Sequence, residues 1–161
     1  MCEFNELTGT DRYSCQRIFR DHGGNAGLFL DQGIQTTEKG ATAGHYDATV
    51  KNIGARPGKE VVQLYCTAPQ GLLGKPSKVL CAFAKTKTLD PGESRTLTLT
   101  VPWRNFASYD DSGATGYKSA FVLEAGDYVF SLGTDVRNAV AVFTVTLPLM
   151  VVEQQESAAA P

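Results

Sequence analysis

The chain has 161 residues and a formal net charge of −2, with 42% hydrophobic and 20% charged residues. A length of this order predicts one domain with a hydrophobic core of its own. The small charge and the scattered lysines and arginines exclude the basic face of a nucleic-acid-binding protein. No apolar run reaches the ~18 residues of a membrane span, and the polar residues 1–6 lack the pattern of a signal peptide. We therefore expect no nucleic-acid or membrane partner and a cytoplasmic location.

Residues 1–42 form an N-terminal segment with no clear period of either the helical or the strand kind. Glycine, threonine and charged residues are mixed throughout it, and Leu28, Phe29 and Leu30 are its one compact apolar cluster. We interpret this segment as poorly patterned, either disordered or divergent, with at most one short strand.

Residues 43–148 consist of short runs rich in β-branched and aromatic residues, separated by turn residues. Residues 46–51 and 95–101 alternate between apolar and polar side chains, which predicts half-buried strands with Leu97, Leu99 and Val101 facing the core. Asp90-Pro91-Gly92-Glu93 predicts a tight turn. Further runs lie at residues 60–66, 79–87, 121–123, 128–132 and 140–147. About seven short strands of this kind predict an all-β fold, an antiparallel β-sandwich of the fibronectin type III or immunoglobulin type.

Tyr128 follows a short corner, residues 123–127, that leads into a predicted strand. In β-sandwiches a tyrosine at such a place can bond through its hydroxyl to the preceding main chain, which is called a tyrosine corner. We interpret Tyr128 as this structural tyrosine, with an ordinary strand aromatic as the alternative. Trp103, the one tryptophan, follows Pro102 and is interpreted as a packing residue rather than a sugar-binding platform.

The cysteines and histidines do not form a ligand pattern. No C-x-x-C pair occurs, and the histidines lie far from any set of cysteines, so we expect neither a metal nor another cofactor. Cys66 and Cys81 lie in strand-like runs and are predicted to be buried free thiols. A disulfide between them would need adjacent strands and an oxidising compartment. The residues concerned are Cys2, Cys15, Cys66, Cys81, His22 and His45.

Several runs of the chain are similar, in order and spacing, to one known domain. They lie at residues 50–54, 57–65, 75–76, 80–86, 89–94, 106–110 and 123–128. Together they resemble the fibronectin type III-like domain of family 3 glycoside hydrolases, the β-glucosidase family. The glycine- and aromatic-rich sequence that precedes the first strand of that domain is missing from residues 1–42. These residues are either divergent or translated from a shifted reading frame.

The insertion at residues 110–120 resembles bacterial members of the family in which the domain order is permuted. In these, the sandwich lies between an α/β sandwich domain and a following (β/α)8 barrel, and residues 149–161 resemble the linker into the barrel. The resemblance implies that this chain belongs to a larger O-glycosyl hydrolase of the β-glucosidase type, with those two catalytic domains as its partners. A stand-alone glycan- or protein-binding module is the alternative.

Catalytic residues are not expected in this chain. Retaining glycoside hydrolysis needs two carboxyl groups about 5 Å apart across a sugar site. The resemblance implies that the nucleophilic aspartate belongs to the barrel and the acid/base residue lies elsewhere, and no position here matches either motif. We therefore expect a non-catalytic accessory domain that supports the packing and orientation of the catalytic domains.

The loop after residue 109 is the candidate functional surface of the chain. Tyr109, Asp110, Asp111, Tyr117 and Lys118 are predicted to lie at a domain interface or near a substrate cleft, and a solvent loop without a role is the alternative. Asp110 and Asp111 are the only adjacent acid pair. Because consecutive side chains on an extended segment point apart, we interpret them as a solvated pair.

Overall fold

The computed structural model describes residues 3–5, 12–14, 17–20, 26–35 and 43–154, with side chains from residue 44 onward. Within these residues the chain forms thirteen β-strands and one 3-10 helix, Trp103–Phe106. The strands are β1 Glu3–Asn5, β2 Arg12–Ser14, β3 Arg17–Arg20, β4 Ala26–Gln35, β5 Ala43–Asn52, β6 Val61–Thr67, β7 Val79–Lys85, β8 Ser94–Pro102, β9 Ser108–Asp110, β10 Ala120–Leu123, β11 Gly126–Gly133, β12 Val140–Leu147 and β13 Met150–Gln154.

Two four-stranded antiparallel sheets build the sandwich, in the orders β3-β4-β5-β8 and β12-β11-β6-β7. A smaller sheet has the order β13-β10-β9, and β1 pairs with β2. This arrangement confirms the predicted all-β antiparallel fold. No helix among the described residues is both long and apolar enough to cross a membrane.

The core lies between the inner faces of the two large sheets. Leu99 and Val101 of β8 are buried as predicted, while Thr98 on the opposite face is exposed and donates a hydrogen bond to Asp47 at 2.6 Å. The Phe143 ring stacks on Tyr46 at 4.8 Å and on Phe130 at 4.7 Å between centroids. Full burial of a large apolar side chain contributes roughly 1.5–3 kcal/mol, so the inward-facing residues of these strands stabilise the sandwich.

Five strands lie where the sequence predicted little structure: β1 to β4 within residues 1–42, and β13 within the predicted linker. β4 pairs with β5 over eight positions, from Leu28↔Asn52 to Gln35↔His45, although at most one short strand was expected before residue 43. β13 pairs with β10 inside the predicted linker, because Met150, Val151 and Val152 are half-buried rather than solvated. The domain boundaries at residues 42/43 and 148/149 stay predictions. The rest of the predicted linker, residues 155–161, lies outside the described residues, as do Cys2, Cys15 and His22.

Candidate functional site

The candidate loop runs from the end of β9 at Asp110 to the start of β10 at Ala120. The solvated-pair interpretation of Asp110 and Asp111 is wrong for the first residue: Asp110 is 0% exposed, whereas Asp111 is exposed. The two side chains do point to opposite sides, but one side is the interior of the protein. Tyr117 and Lys118 are exposed on the same loop.

Asp110 organises this loop through both of its carboxylate oxygens. Oδ1 accepts hydrogen bonds from Ser112 Oγ at 3.2 Å, Gly113 N at 2.7 Å and Ala114 N at 3.1 Å. Oδ2 accepts from the main-chain N and Oγ1 of Thr115, at 2.8 and 2.7 Å. A buried carboxylate that accepts several such bonds is held in its charged form. Asp110 is therefore a structural residue that is closed to solvent.

The electrostatics of Asp110 follow from these bonds. Burial opposes ionisation of the carboxyl group, but the bonds from Thr115, Gly113 and Ala114 outweigh this effect and hold the pKa of Asp110 well below its usual range. No cation neutralises it among the contacts described above. The loop amides and hydroxyls supply the stabilisation, as they do in backbone nests that bind anions.

Left-handed backbone positions complete the loop. Gly113 and Gly116 have φ of 83° and 93°, and Ser119 has φ of 58° although it is not a glycine. Such a conformation in a residue with a side chain is sustained only when the surroundings favour it. Here the amide of Ser119 donates to the carbonyl of Asp110 at 2.7 Å, which closes the loop at its base. The loop therefore has a defined shape.

An aromatic and charged surface lies beside the loop on the small sheet. Tyr109 is 41% exposed, and its ring lies 5.0 Å from that of Phe121. The guanidinium of Arg104 lies 4.3 Å above the same Phe121 ring, and its Nε is 3.1 Å from an Oε of Glu153. The predicted site residues Tyr109, Asp111, Tyr117 and Lys118 are thus exposed. Trp103 packs against the hydrophobic core instead.

Sequence reasoning missed a second buried carboxylate, that of Glu124. It pairs with the ammonium group of Lys75, and the side chains of the two residues are only 7% and 4% exposed. The main-chain N atoms of Leu72 and Leu73 donate to the same carboxylate at 2.5 and 3.3 Å. The second bond of Lys75 goes to the carbonyl of Pro69, at 2.8 Å. One glutamate therefore anchors the whole loop between β6 and β7.

Burial opposes ionisation of Glu124 as well, and the bond from Lys75 is the largest effect that lowers its pKa below the usual value. No periodic pattern connects residues 49 positions apart. The available signal was a lone glutamate directly after the apolar run of β10, where a charged residue needs a buried partner.

Tyr128 lies against the same glutamate. Its hydroxyl donates to the main-chain carbonyl of Glu124 at 2.9 Å, which is the geometry of a tyrosine corner, and burial raises the pKa of Tyr128 to about 12. Gly126 makes the corner possible, since its φ is 142° and a Cβ there would lie 2.8 Å from Cβ of Pro69. Glu124 thus joins the corner through its main chain and the β6–β7 loop through its side chain.

The cysteines of the sandwich are free and buried, as predicted for Cys66 and Cys81. They lie on the adjacent strands β6 and β7. A hydrogen bond with Cys81, together with burial, raises the pKa of Cys66, which disfavours the reactive thiolate. Among the residues that the structure describes, His, Cys, Asp and Glu do not gather in a group of three or more that could hold a metal ion.

Comparison with known proteins gives the class of the domain. The sheets define an antiparallel β-sandwich, and the model of the family "Fibronectin type III-like domain" matches residues 60–136. A β-glucosidase of Ruminococcus albus is 56% identical over 115 residues, which cover 71% of this chain and 12% of the relative. β-Glucosidase A of Butyrivibrio fibrisolvens is 58% identical over 90 residues, which cover 56% of this chain and 11% of the relative.

The solved structures agree with the sequence relatives. A β-glucosidase from Paenibacillus barengoltzii superposes with a TM-score of 0.76 at 50% identity, covering 83% of this chain and 15% of that protein. The GH3 β-glucosidase of Bifidobacterium adolescentis gives a TM-score of 0.63 at 31% identity, covering 74% and 17%. This chain therefore carries a fibronectin type III-like domain similar to that of family 3 β-glucosidases. It spans only 12% and 11% of the length of the two curated relatives above.

Proposed function

We propose that this chain is a non-catalytic accessory domain of a longer β-glucosidase-type enzyme, in which it packs against the catalytic domains and holds their orientation. The observation that supports this most strongly is the asymmetry of the match with the Paenibacillus barengoltzii β-glucosidase, which covers 83% of this chain and 15% of the enzyme. The partners would be the α/β sandwich and (β/α)8 barrel domains of the parent. The resemblance of residues 110–120 to the permuted bacterial members favours a position between them.

The state of the two buried carboxylates supports a role without catalysis. A retaining glycosidase needs a pair of carboxyl groups about 5 Å apart on either side of an open sugar site. Asp110 and Glu124 are 0% and 5% exposed, and the hydrogen bonds described above occupy the oxygens of both. Each carboxylate therefore shapes a loop and is unavailable to a substrate.

The surface proposed to meet the parent enzyme is the loop around Asp110. Its exposed side chains, Tyr109, Asp111, Tyr117 and Lys118, include two aromatic rings, and tyrosine is enriched at the cores of protein interfaces. The bonds to Asp110 fix the loop before it meets a partner, which lowers the entropy cost of association. The same loop could border the substrate cleft of the parent.

The proposal is tested by assaying the purified chain on an aryl β-glucoside, with an intact β-glucosidase as the positive control. We expect no hydrolysis above the buffer rate at any concentration of the chain. Hydrolysis that rises in proportion to the concentration of the chain, and that remains after a second independent purification, would contradict the proposal.

A stand-alone glycan-binding module is the second candidate, favoured by the exposure of Tyr109 and Tyr117, at 41% and 43%. Exposed aromatic rings can stack on sugars. This candidate predicts heat of binding when soluble oligosaccharides are titrated into the chain, and loss of that heat on Tyr117→Ala. Asp111→Asn is the matched control on the same loop. Flat titrations with the unsubstituted chain at millimolar sugar would contradict it.

A further inference from the structure

An open groove lies along one side of the sandwich. It has a volume of about 630 Å³ and lies between β7 and β8, which are the edge strands of the two large sheets. Leu80 and Phe83 line it from β7, Pro102 follows at the end of β8, and Asn105 comes from the 3-10 helix. Phe83 is 67% exposed and Leu80 is 44% exposed, so the groove presents apolar surface to solvent.

An edge strand with exposed apolar side chains attracts other strands unless it is covered or interrupted. Here Asn105 partly closes the edge, because its Nδ2 donates to the carbonyl of Cys81 at 2.9 Å. The carbonyl of Cys81 therefore already has a partner within the chain. The groove is closed to strand addition at this point, while the side chains of Leu80 and Phe83 remain available for contact.

The size of the groove indicates the kind of occupant. A groove of about 630 Å³ has room for one or a few side chains, whereas a stable interface between free proteins buries about 800 Å² on each side. A surface this small suits a tethered partner, because a short connection between two domains gives an effective concentration on the order of millimolar. A second copy of the chain, or a free protein, would need more surface.

The course of the chain points to the same occupant. Glu153 of β13 pairs with Arg104, the neighbour of the groove residue Asn105, and the next residue, Gln154, donates to the carbonyl of Lys118 at 2.9 Å. The end of β13 is therefore close both to the 3-10 helix that borders the groove and to the loop around Asp110. The curated relatives are much longer than this chain, which covers 12% of the Ruminococcus albus enzyme. A domain that follows β13 in a longer polypeptide would therefore lie within reach of the groove.

We propose that the groove between β7 and β8 receives an apolar side chain of the domain that follows this sandwich in the same polypeptide, with Phe83 as the main contact. This inference rests on the proposed function. Thr98 and Thr100 also line the groove, but their hydroxyl groups are bonded to Asp47 and His45 of β5, so the surface left for the inserted side chain is mainly apolar.

The test is a chimera of the Ruminococcus albus β-glucosidase, in which the 115-residue segment that matches this chain is replaced by the corresponding residues of this chain. Phe83→Lys and the milder Phe83→Thr are compared with Val136→Lys, a matched control because Val136 is 47% exposed on another turn. Melting temperature and hydrolysis of an aryl β-glucoside are measured in the chimera, and melting temperature also in the isolated chain.

We expect both Phe83 substitutions to lower the melting temperature of the chimera by roughly 5 °C and to reduce its activity, while the isolated chain changes little. Val136→Lys should leave the melting temperature of both proteins and the activity of the chimera unchanged. If the chimera is active, and Phe83→Lys changes its melting temperature and activity no more than Val136→Lys does, the docking site is overturned. The proposed function is unaffected by that result. Equal losses in the chimera and the isolated chain would also overturn it, because Phe83 would then stabilise only its own domain. A chimera that neither folds nor hydrolyses with the unsubstituted segment would overturn the proposed function, and the docking site with it.

Discussion

Asp110 and Glu124 are both buried carboxylates that each hold a loop, and they do so in different ways. The side chain of Asp110 accepts the hydrogen bonds described above from four of the five residues that follow it. Glu124 takes its bonds from Leu72, Leu73 and Lys75, which are 49 to 52 positions away. The charge of Glu124 is paired with an ammonium group, whereas Asp110 is stabilised by amides and hydroxyls.

This difference separates a local device from a tertiary one. The loop around Asp110 can take its shape as soon as the chain turns, since every donor is nearby. The loop anchored by Glu124 depends on the assembled sandwich, because Glu124, which lies between β10 and β11, must first meet the loop that follows β6. We therefore expect disruption of Glu124 to affect the whole domain and disruption of Asp110 to affect mainly its own loop.

Acid acts on both carboxylates at once and gives the largest expected effect. Both have a folded-state pKa below the unfolded value, which is about 4.3 for Glu and 3.9 for Asp. Their stabilisation is complete above those unfolded values and is lost as the pH falls through the lower folded values. The urea midpoint should therefore decline from about pH 5 downward. A midpoint that stays constant down to about pH 3 would contradict this account of both carboxylates.

Glu124→Gln isolates the tertiary device. The amide keeps the shape of the side chain but leaves Lys75 buried without a counter-charge, which costs about 3–5 kcal/mol in the free energy of unfolding. Arg95→Gln is the control, since Arg95 and Glu93 form an exposed pair at 3.7 Å and its loss should cost at most about 1 kcal/mol. Urea unfolding measures the free energy of unfolding of both variants. Similar decreases in Glu124→Gln and Arg95→Gln would show that burial of the Lys75–Glu124 pair has no energetic importance.

Asp110→Asn isolates the local device. It places an NH₂ group among donors that previously met an acceptor, so the loop amides lose hydrogen-bond partners. We expect hydrogen exchange to accelerate at Gly113, Ala114 and Thr115, with a smaller loss of melting temperature than in Glu124→Gln. Asp111→Asn, the exposed neighbour, should leave both quantities unchanged. Unchanged exchange in Asp110→Asn would mean that its carboxylate does not hold the loop.

Tyr128→Phe should have the smallest effect of the series. It removes the one hydrogen bond from the corner hydroxyl and leaves the carbonyl of Glu124 buried without that donor, at a cost of about 1–2 kcal/mol. Tyr117→Phe, at an exposed position, should cost almost nothing. Equal urea midpoints for Tyr128→Phe and Tyr117→Phe would show that the hydrogen bond of the tyrosine corner does not stabilise the domain.

The strands of the sandwich were predictable because their pattern is local. The alternation in residues 95–101 identifies the buried faces of β8, and Pro91-Gly92 marks the turn before it. β13 was not predictable in this way, since three half-buried apolar residues beside polar ones also suit a linker. Its pairing with β10 is decided by the rest of the fold.

The site was only partly predictable for the same reason. The exposed loop residues follow from the glycine-rich segment after Tyr109, and Tyr128 follows from the corner before its strand. The burial of Asp110 depends on how the loop folds back on the carboxylate. The pairing of Lys75 with Glu124 depends on two distant segments, and no periodicity links them.

The size of the native polypeptide tests the central claim, that this sandwich is the accessory part of a longer β-glucosidase-type enzyme. Peptides from residues 61–75 should be traced by mass spectrometry through a size separation of source-cell extract. The account predicts that they occur in a polypeptide several times heavier than 17.3 kDa and that this fraction hydrolyses an aryl β-glucoside. Peptides found only at the mass of this chain would contradict it and would leave the stand-alone binding module as the function to pursue.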